Sequence, residues 1–180
     1  EDLFDFVQRG RPVLGICNGF QVLVRTGLLP YGTPPRLRVT LMSNDSARFE
    51  CRWVNLAVGK TPSIFTAGLE GQVIALPVAH AEGKFYAPEE ELARIEAQGL
   101  IVFRYADAAG RPTVTYPANP NGSLGAVAGI CDPSGTVLGM MPHPERFVEA
   151  WQHPNWRRGL AGEPWGLVIF RNAVAYARQM

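Results

Sequence analysis

The segment Pro12-Val13-Leu14-Gly15-Ile16-Cys17-Asn18-Gly19 restricts this chain more than any other feature. Pro12 to Ile16 is a short, unbroken apolar run, the pattern of a strand buried on both faces. Asn18 to Arg25 reads as a helix stopped by Gly27. A buried strand running straight into a helix points to an α/β architecture. Cys17 stands at the junction, with a glycine two positions before it and another two after. That is the pattern of a nucleophile elbow, whose tight turn requires missing side chains so that backbones can pass. The following helix would direct its positive end at the sulfur and favour the thiolate. A free cysteine is most often a buried packing residue. Strand, paired glycines and helix together favour the nucleophile.

A second constellation is Met140-Met141-Pro142-His143-Pro144-Glu145-Arg146, directly after a predicted strand. In an extended segment, residues two apart project to the same side. Glu145 would then orient the His143 ring while His143 takes the proton of Cys17, the nucleophile–base–orienter arrangement of a triad. The flanking prolines stiffen the segment. Alone, a turn histidine beside a carboxylate is often only a surface pair. Joined to the elbow, it completes a catalytic set.

Two further groups are more ambiguous. Tyr116 to Ser123 holds Asn119, Asn121, Gly122 and Ser123, whose amides and hydroxyl could read an amino acid's charged ends. The same composition is ordinary turn chemistry, and that reading is favoured on the residues alone. In Val78 to Phe85, His80 and Glu82 could form a second acid–base pair, although a hydrogen-bonded structural or interface histidine is the simpler reading. A metal site there lacks a third ligand. His153, between Trp151 and Trp156, reads as a surface residue. No basic stripe accompanies these aromatics to make a nucleic-acid platform.

The remaining elements follow from pattern. Asp2 to Arg9 is the end of a helix stopped by Gly10. Phe49, Cys51 and Trp53 alternate with polar residues before a shift to Val54, Leu56 and Val58, which predicts a bulged strand. Val73–Val78 and Leu100–Tyr105 are strands, and Glu89–Gln98 is an acidic-headed helix. Gly125–Cys131 and Thr136–Met141 form a hairpin around Asp132-Pro133-Ser134-Gly135. Trp165–Arg178 is an amphipathic helix. No linker divides the 180 residues, so a single domain over 1–180 is expected. The 17 basic and 16 acidic residues give a net charge of +1, which lends no support to nucleic-acid or membrane-surface binding. No apolar run approaches the ~18 residues of a membrane span, and Glu1 to Asp5 lacks the basic region of a signal peptide. Three separated cysteines fit a reducing compartment. Scattered histidines without a C-x-x-C pair argue against zinc.

GICNGFQ at 15–21, AHAEGKF at 79–85, ANPNGS at 118–123 and MMPHPER at 140–146 together resemble the class I, triad-type glutamine amidotransferases. Within that group they resemble the glutaminase subunits of phosphoribosylformylglycinamidine synthase. The resemblance covers essentially the whole chain, with the four segments in the family's order. It implies a three-layer, flavodoxin-like α/β domain with a mainly parallel central sheet. It implies that Cys17 attacks the glutamine carboxamide, that His143 oriented by Glu145 moves the protons, and that the Asn18 backbone N–H serves the oxyanion. Gln21, Asn121, Gly122 and Ser123 would help bind glutamine, and His80 and Glu82 would lie near the site or a subunit interface. Ammonia would pass to a synthase subunit, with an accessory subunit completing the complex. ATP and magnesium would act in the synthase and no cofactor in this chain, in the cytoplasm.

The sequence also departs from that pattern. Family members carry a strand–helix–strand portion before the helix that leads into the elbow, including a glycine-rich loop that donates to the oxyanion. Here the sequence begins inside that helix with Glu1, so an N-terminally truncated sequence is expected. Loss of one oxyanion donor typically costs ~10²–10³ in rate. Ala81 stands where the family usually has glycine. Two other readings remain: a stand-alone thiol hydrolase of γ-glutamyl or other amides, and a non-catalytic subunit that only binds a partner.

Overall fold

A computed structural model describes residues 2–32 and 37–180. The chain opens with α1 (Asp2–Gln8), β1 (Val13–Ile16) and α2 (Asn18–Arg25). It continues through β2 (Thr40–Ser43), β3 (Glu50–Val58), β4 (Val73–His80), β5 (Glu82–Tyr86) and α3 (Glu89–Ala97). It closes with β6 (Ile101–Ala106), β7 (Val127–Cys131), β8 (Val137–Met140) and α4 (Trp165–Ala177). Six of these strands form a sheet in the order β1–β8–β7–β6–β3–β4, and β2 pairs with β5 in a separate ribbon.

The α/β architecture is present, but the described sheet is mixed rather than mainly parallel. Only β1 and β8 run parallel; the other pairings are antiparallel. The reason is local. β7 and β8 are joined by a short turn in which the Asp132 carboxylate accepts from the backbone N–H groups of Ser134 and Val137. A turn of this length can only return the chain antiparallel, whereas a parallel partner needs a long crossover.

β1 and β8 are in register, with Gly15 opposite Gly139. Both glycines face α2. A Cβ on Gly15 would meet the Gly19 carbonyl carbon and oxygen at 2.7 Å. One on Gly139 would run into the Phe20 ring. Their missing side chains let α2 lie directly on the strands, with Phe20, Leu23 and Val24 buried beneath it.

The β3 reading shifts phase. The strand pairs with β4 without interruption from Glu50↔His80 to Ala57↔Val73, so no bulge occurs. Its buried positions are Glu50, Val54, Leu56 and Val58, while Phe49 and Cys51 are exposed. Buried Glu50 is tolerated because the Arg52 guanidinium pairs with it. Trp53 is half-buried on the opposite side, edge-on to Phe147 at 5.0 Å and to His153 at 4.5 Å. His153 is thus held between aromatic rings rather than standing free on the surface. On α4, Gly166 and Ile169 face inward and Val174 outward. Asn172 ties the helix to the Phe65 and Ala67 carbonyls at 3.0 Å each. Among the described residues no helix is long and apolar enough to cross a membrane.

Candidate active site

Cys17 occupies the turn between β1 and α2 with φ 53° and ψ −107°, a strained conformation for a residue with a side chain. Its backbone N–H donates to the Met140 carbonyl at 2.8 Å, and Gln21 N–H returns to the Cys17 carbonyl at 3.3 Å. The elbow is thereby stitched to β8 on one side and to α2 on the other. Its thiol lies 4.0 Å from the Ala79 carbonyl at the end of β4.

β8 runs parallel to β1, so the segment leaving its carboxyl end emerges beside the elbow. His143 N–H donates to the Pro77 carbonyl at 2.8 Å, fixing the segment against β4. The next residues, Pro144–Arg146, form a single 3₁₀ turn rather than the extended segment expected. That turn still brings Glu145 round to His143, with Nδ1 and Oε1 2.6 Å apart. A carboxylate oxygen only accepts, so Nδ1 carries a proton, and in the neutral ring Nε2 is the one left with a lone pair. His143 Nε2 is buried and has no hydrogen-bond partner. Thiol and imidazole are not hydrogen-bonded to each other in this structure, and such contacts commonly tighten only around substrate.

The electrostatics refine the expectation for the thiol. Burial raises the Cys17 pKa above its ordinary value. The Asn18 backbone N–H and the Arg146 charge pull it down, and the Glu145 charge pushes it up. Burial prevails over the helix terminus, so the resting group is the thiol, and a base is needed to make the nucleophile. Arg146 is a contributor that sequence reading did not single out, although it directly follows Glu145. Cys131 is buried, with its pKa pushed up to about 12, and Cys51 is exposed on β3. Neither belongs to the site.

Beside the thiol is an open cavity of about 330 Å³ lined by Cys17, Asn18, Phe49, Ala79, His80 and Glu82. Phe49, which opens the alternating apolar positions before β3, is 64% exposed and forms its lip. His80 and Glu82 flank the single residue Ala81 between β4 and β5, but they do not pair. His80 Nδ1 lies 3.1 Å from Asn44 Oδ1, while Gln21 Nε2 donates to Glu82 Oε2 at 3.1 Å. Glu82 also borders a second cavity of about 230 Å³, lined by Gln21, Arg25, Thr40 and Leu41. Gln21 and Glu82 thus form a bridge at the rim of the thiol cavity.

The Asn119–Ser123 loop spends its side chains on hydrogen bonds within itself and to β5. Asn119 Oδ1 accepts from the N–H groups of Gly122 and Ser123 at 3.1 Å each. Asn121 Nδ2 donates to the Gly83 carbonyl at 2.9 Å. Ser123 Oγ donates to Asn121 Oδ1 at 2.7 Å and accepts from Phe85 N–H at 2.9 Å. These bonds fix the start of β5 and hence the Glu82 side of the cavity. Among the described residues no group of three or more His, Cys, Asp or Glu side chains could hold a metal ion.

Comparison with known proteins agrees with this geometry. The model of the CobB/CobQ-like glutamine amidotransferase domain matches residues 1–177. A Dehalococcoides mccartyi protein named phosphoribosylformylglycinamidine synthase subunit PurQ is 46% identical, over all of this chain and 69% of its own length. The protein of the same name from Aquifex aeolicus is 48% identical over 82% of this chain and 61% of its own. The chain therefore spans roughly two thirds of the length of these relatives. Among solved structures, that of PurLQS from Thermotoga maritima superposes with a TM-score of 0.69 at 31% identity, covering 97% of this chain and 66% of that one. With the elbow, the His143–Glu145 pair and the sequence match in agreement, this chain belongs to the CobB/CobQ-like glutamine amidotransferase family.

Proposed function

We propose that this chain is the glutaminase part of a phosphoribosylformylglycinamidine synthase, releasing ammonia from glutamine for a synthase partner in purine biosynthesis. The observation that carries the reading is the placement of Cys17 and the His143–Glu145 pair at the ends of two adjoining parallel strands. His143 Nε2 takes the thiol proton, and Sγ attacks the glutamine carboxamide carbon. The oxyanion that forms is held by the Asn18 backbone N–H. His143 returns its proton to the nitrogen, the C–N bond breaks, and ammonia leaves a γ-glutamyl thioester on Cys17. Water, deprotonated by His143, then attacks the thioester, and glutamate departs as the thiol is restored.

The purine assignment rests on the named relatives, and so does a PurL-type synthase partner. ATP and magnesium would act on that partner, an accessory subunit would complete the complex, and the assembly would work in the cytoplasm. Gln21 and the loop carrying Asn121, Gly122 and Ser123 are proposed to shape the glutamine pocket. The loop would act through the backbone it holds in place.

The test is intact-mass analysis and peptide mapping after exposure to an electrophilic glutamine analogue. A single adduct on Cys17, prevented by excess glutamine and absent in Cys17→Ala, is expected. Labelling that ignores glutamine, or that spreads equally to Cys51, would overturn the reading.

A further inference from the structure

Asn44 follows β2 and is buried. Its side-chain nitrogen donates to two carbonyls, those of Arg48 and His80, at 2.8 Å each. Its backbone N–H donates to the Ala81 carbonyl at 3.0 Å. Two carbonyls on one atom fix the orientation of the amide, because a flipped amide would set its oxygen against both. Oδ1 therefore faces His80 Nδ1, 3.1 Å away. An amide oxygen only accepts, so the His80 proton sits on Nδ1. The ring is neutral at physiological pH, since burial, assisted by the nearby His143, lowers its pKa to about 4. Nε2 is then a bare acceptor.

That acceptor is buried and without a partner. His80 also lines the cavity that holds the thiol. Ala79, the residue before it, places its carbonyl 4.0 Å from the sulfur. The His80 ring thus borders the thiol cavity, with Nε2 closed off from solvent. A buried acceptor left unpaired disfavours the folded state, and such a group calls for a ligand or another explanation. A substrate donor reaches Nε2 only by displacing the side chains that cover it, a rotamer-scale rearrangement of the kind common on binding.

We propose that Asn44 is a positioning residue that sets the His80 tautomer, so that His80 Nε2 accepts an N–H of the carboxamide of the substrate held at Cys17. The identity of the substrate rests on the glutaminase reading; the tautomer does not. An acceptor-only group at this point would favour a primary amide over a γ-ester or γ-acid, which have no N–H to give.

The experiment uses the full-length protein with its synthase partner. Long-range ¹H–¹⁵N NMR should find the His80 proton on Nδ1 in the wild type, and that preference should disappear in Asn44→Leu. His80→Asn places an amide near the position of Nδ1 and removes the Nε2 acceptor. His80→Gln carries an amide to the position of Nε2. The glutamine KM should rise about tenfold or more in His80→Asn and stay within about threefold in His80→Gln. For the γ-methyl ester of glutamate, KM should be alike in the wild type and both variants. A proton on Nε2, a wild-type glutamine KM in His80→Asn, or an equal loss for the ester would each overturn the proposal. A wild type without glutaminase activity would sink the functional reading and the substrate half of this one, while a proton on Nδ1 would still uphold the part assigned to Asn44.

Discussion

The backbone N–H of Cys17 donates to the carbonyl of Met140, 2.8 Å away, and so ties the proposed nucleophile to the strand that leads into His143, its proposed base. The two proposed catalytic segments leave adjoining parallel strands, and the His143 segment is further fixed to Pro77 on β4. Small errors in that pair pass directly into the distance between sulfur and imidazole.

Gly15→Ala tests this dependence. The added methyl would lie 2.7 Å from the Gly19 carbonyl and 2.5 Å from a Leu23 methyl. Overpacking of this kind costs about 1–3 kcal/mol, and glutaminase activity should fall further than stability because the elbow itself is displaced. Thermal melts alongside steady-state kinetics would show it; a variant with full activity would count against a rigid elbow.

Glu145→Gln should leave the fold intact, since the Glu145 side chain is 44% exposed. It removes the charge that fixes His143 with its proton on Nδ1 and that stabilises the imidazolium. A fall of about 10²-fold or more in kcat, with KM little changed, is expected. A large change in KM alone would assign Glu145 to binding.

Arg146→Gln removes a charge that lowers the Cys17 pKa, against the dominant effect of burial. The rate of Cys17 alkylation rises with the thiolate fraction, so the variant's pH profile should shift to higher pH than that of the wild type. A shift to lower pH, or none, would show that the Arg146 charge does not reach the sulfur.

Ser123→Ala would leave Phe85 N–H and Asn121 Oδ1 without the hydroxyl that now joins them. Loss of about 1–3 kcal/mol is expected in denaturant unfolding, with any change in glutamine KM following from the weakened loop. A higher KM at unchanged stability would instead make the hydroxyl a direct ligand.

The depressed pKa of His80, about 4 against an ordinary 6.5, makes stability depend on acid. As pH falls, the unfolded chain binds the proton first. The contribution is therefore complete above pH 6.5 and lost progressively down to about 4, a decline of roughly 3 kcal/mol. His80→Gln should lack this component in urea midpoints measured from pH 7 to 4. Parallel curves for the two proteins would rule it out.

The elbow was legible because its signal is contiguous: Gly15, Cys17 and Gly19 sit within a strand–helix step that the chain itself dictates. His143 and Glu145 were legible as a pair for the same reason, even though a 3₁₀ turn and not an extended segment brings them together. The phase of β3 was misread because apolar content does not decide burial there. Phe49 serves as a cavity lip, while buried Glu50 is neutralised by Arg52. The β2–β5 ribbon was missed, since β2 is largely exposed and carries no alternation to betray it. Asn44 left no trace either, because its importance comes from His80, which is remote in sequence and near only after folding. Gly15 and Gly139 each looked like an ordinary small residue until parallel pairing set them side by side beneath α2.

The parallel pairing of β1 with β8 also bears on the order of events at synthesis. Cys17 leaves the ribosome well before His143, with β2 to β7 translated in between. Contacts so distant in sequence close slowly, and domains gain their final packing only once their segments are available. The Cys17 thiol therefore passes through that interval without the His143 imidazole. A mechanism that runs through both Cys17 and His143 would thus be closed to every nascent intermediate until β8 takes its place against β1.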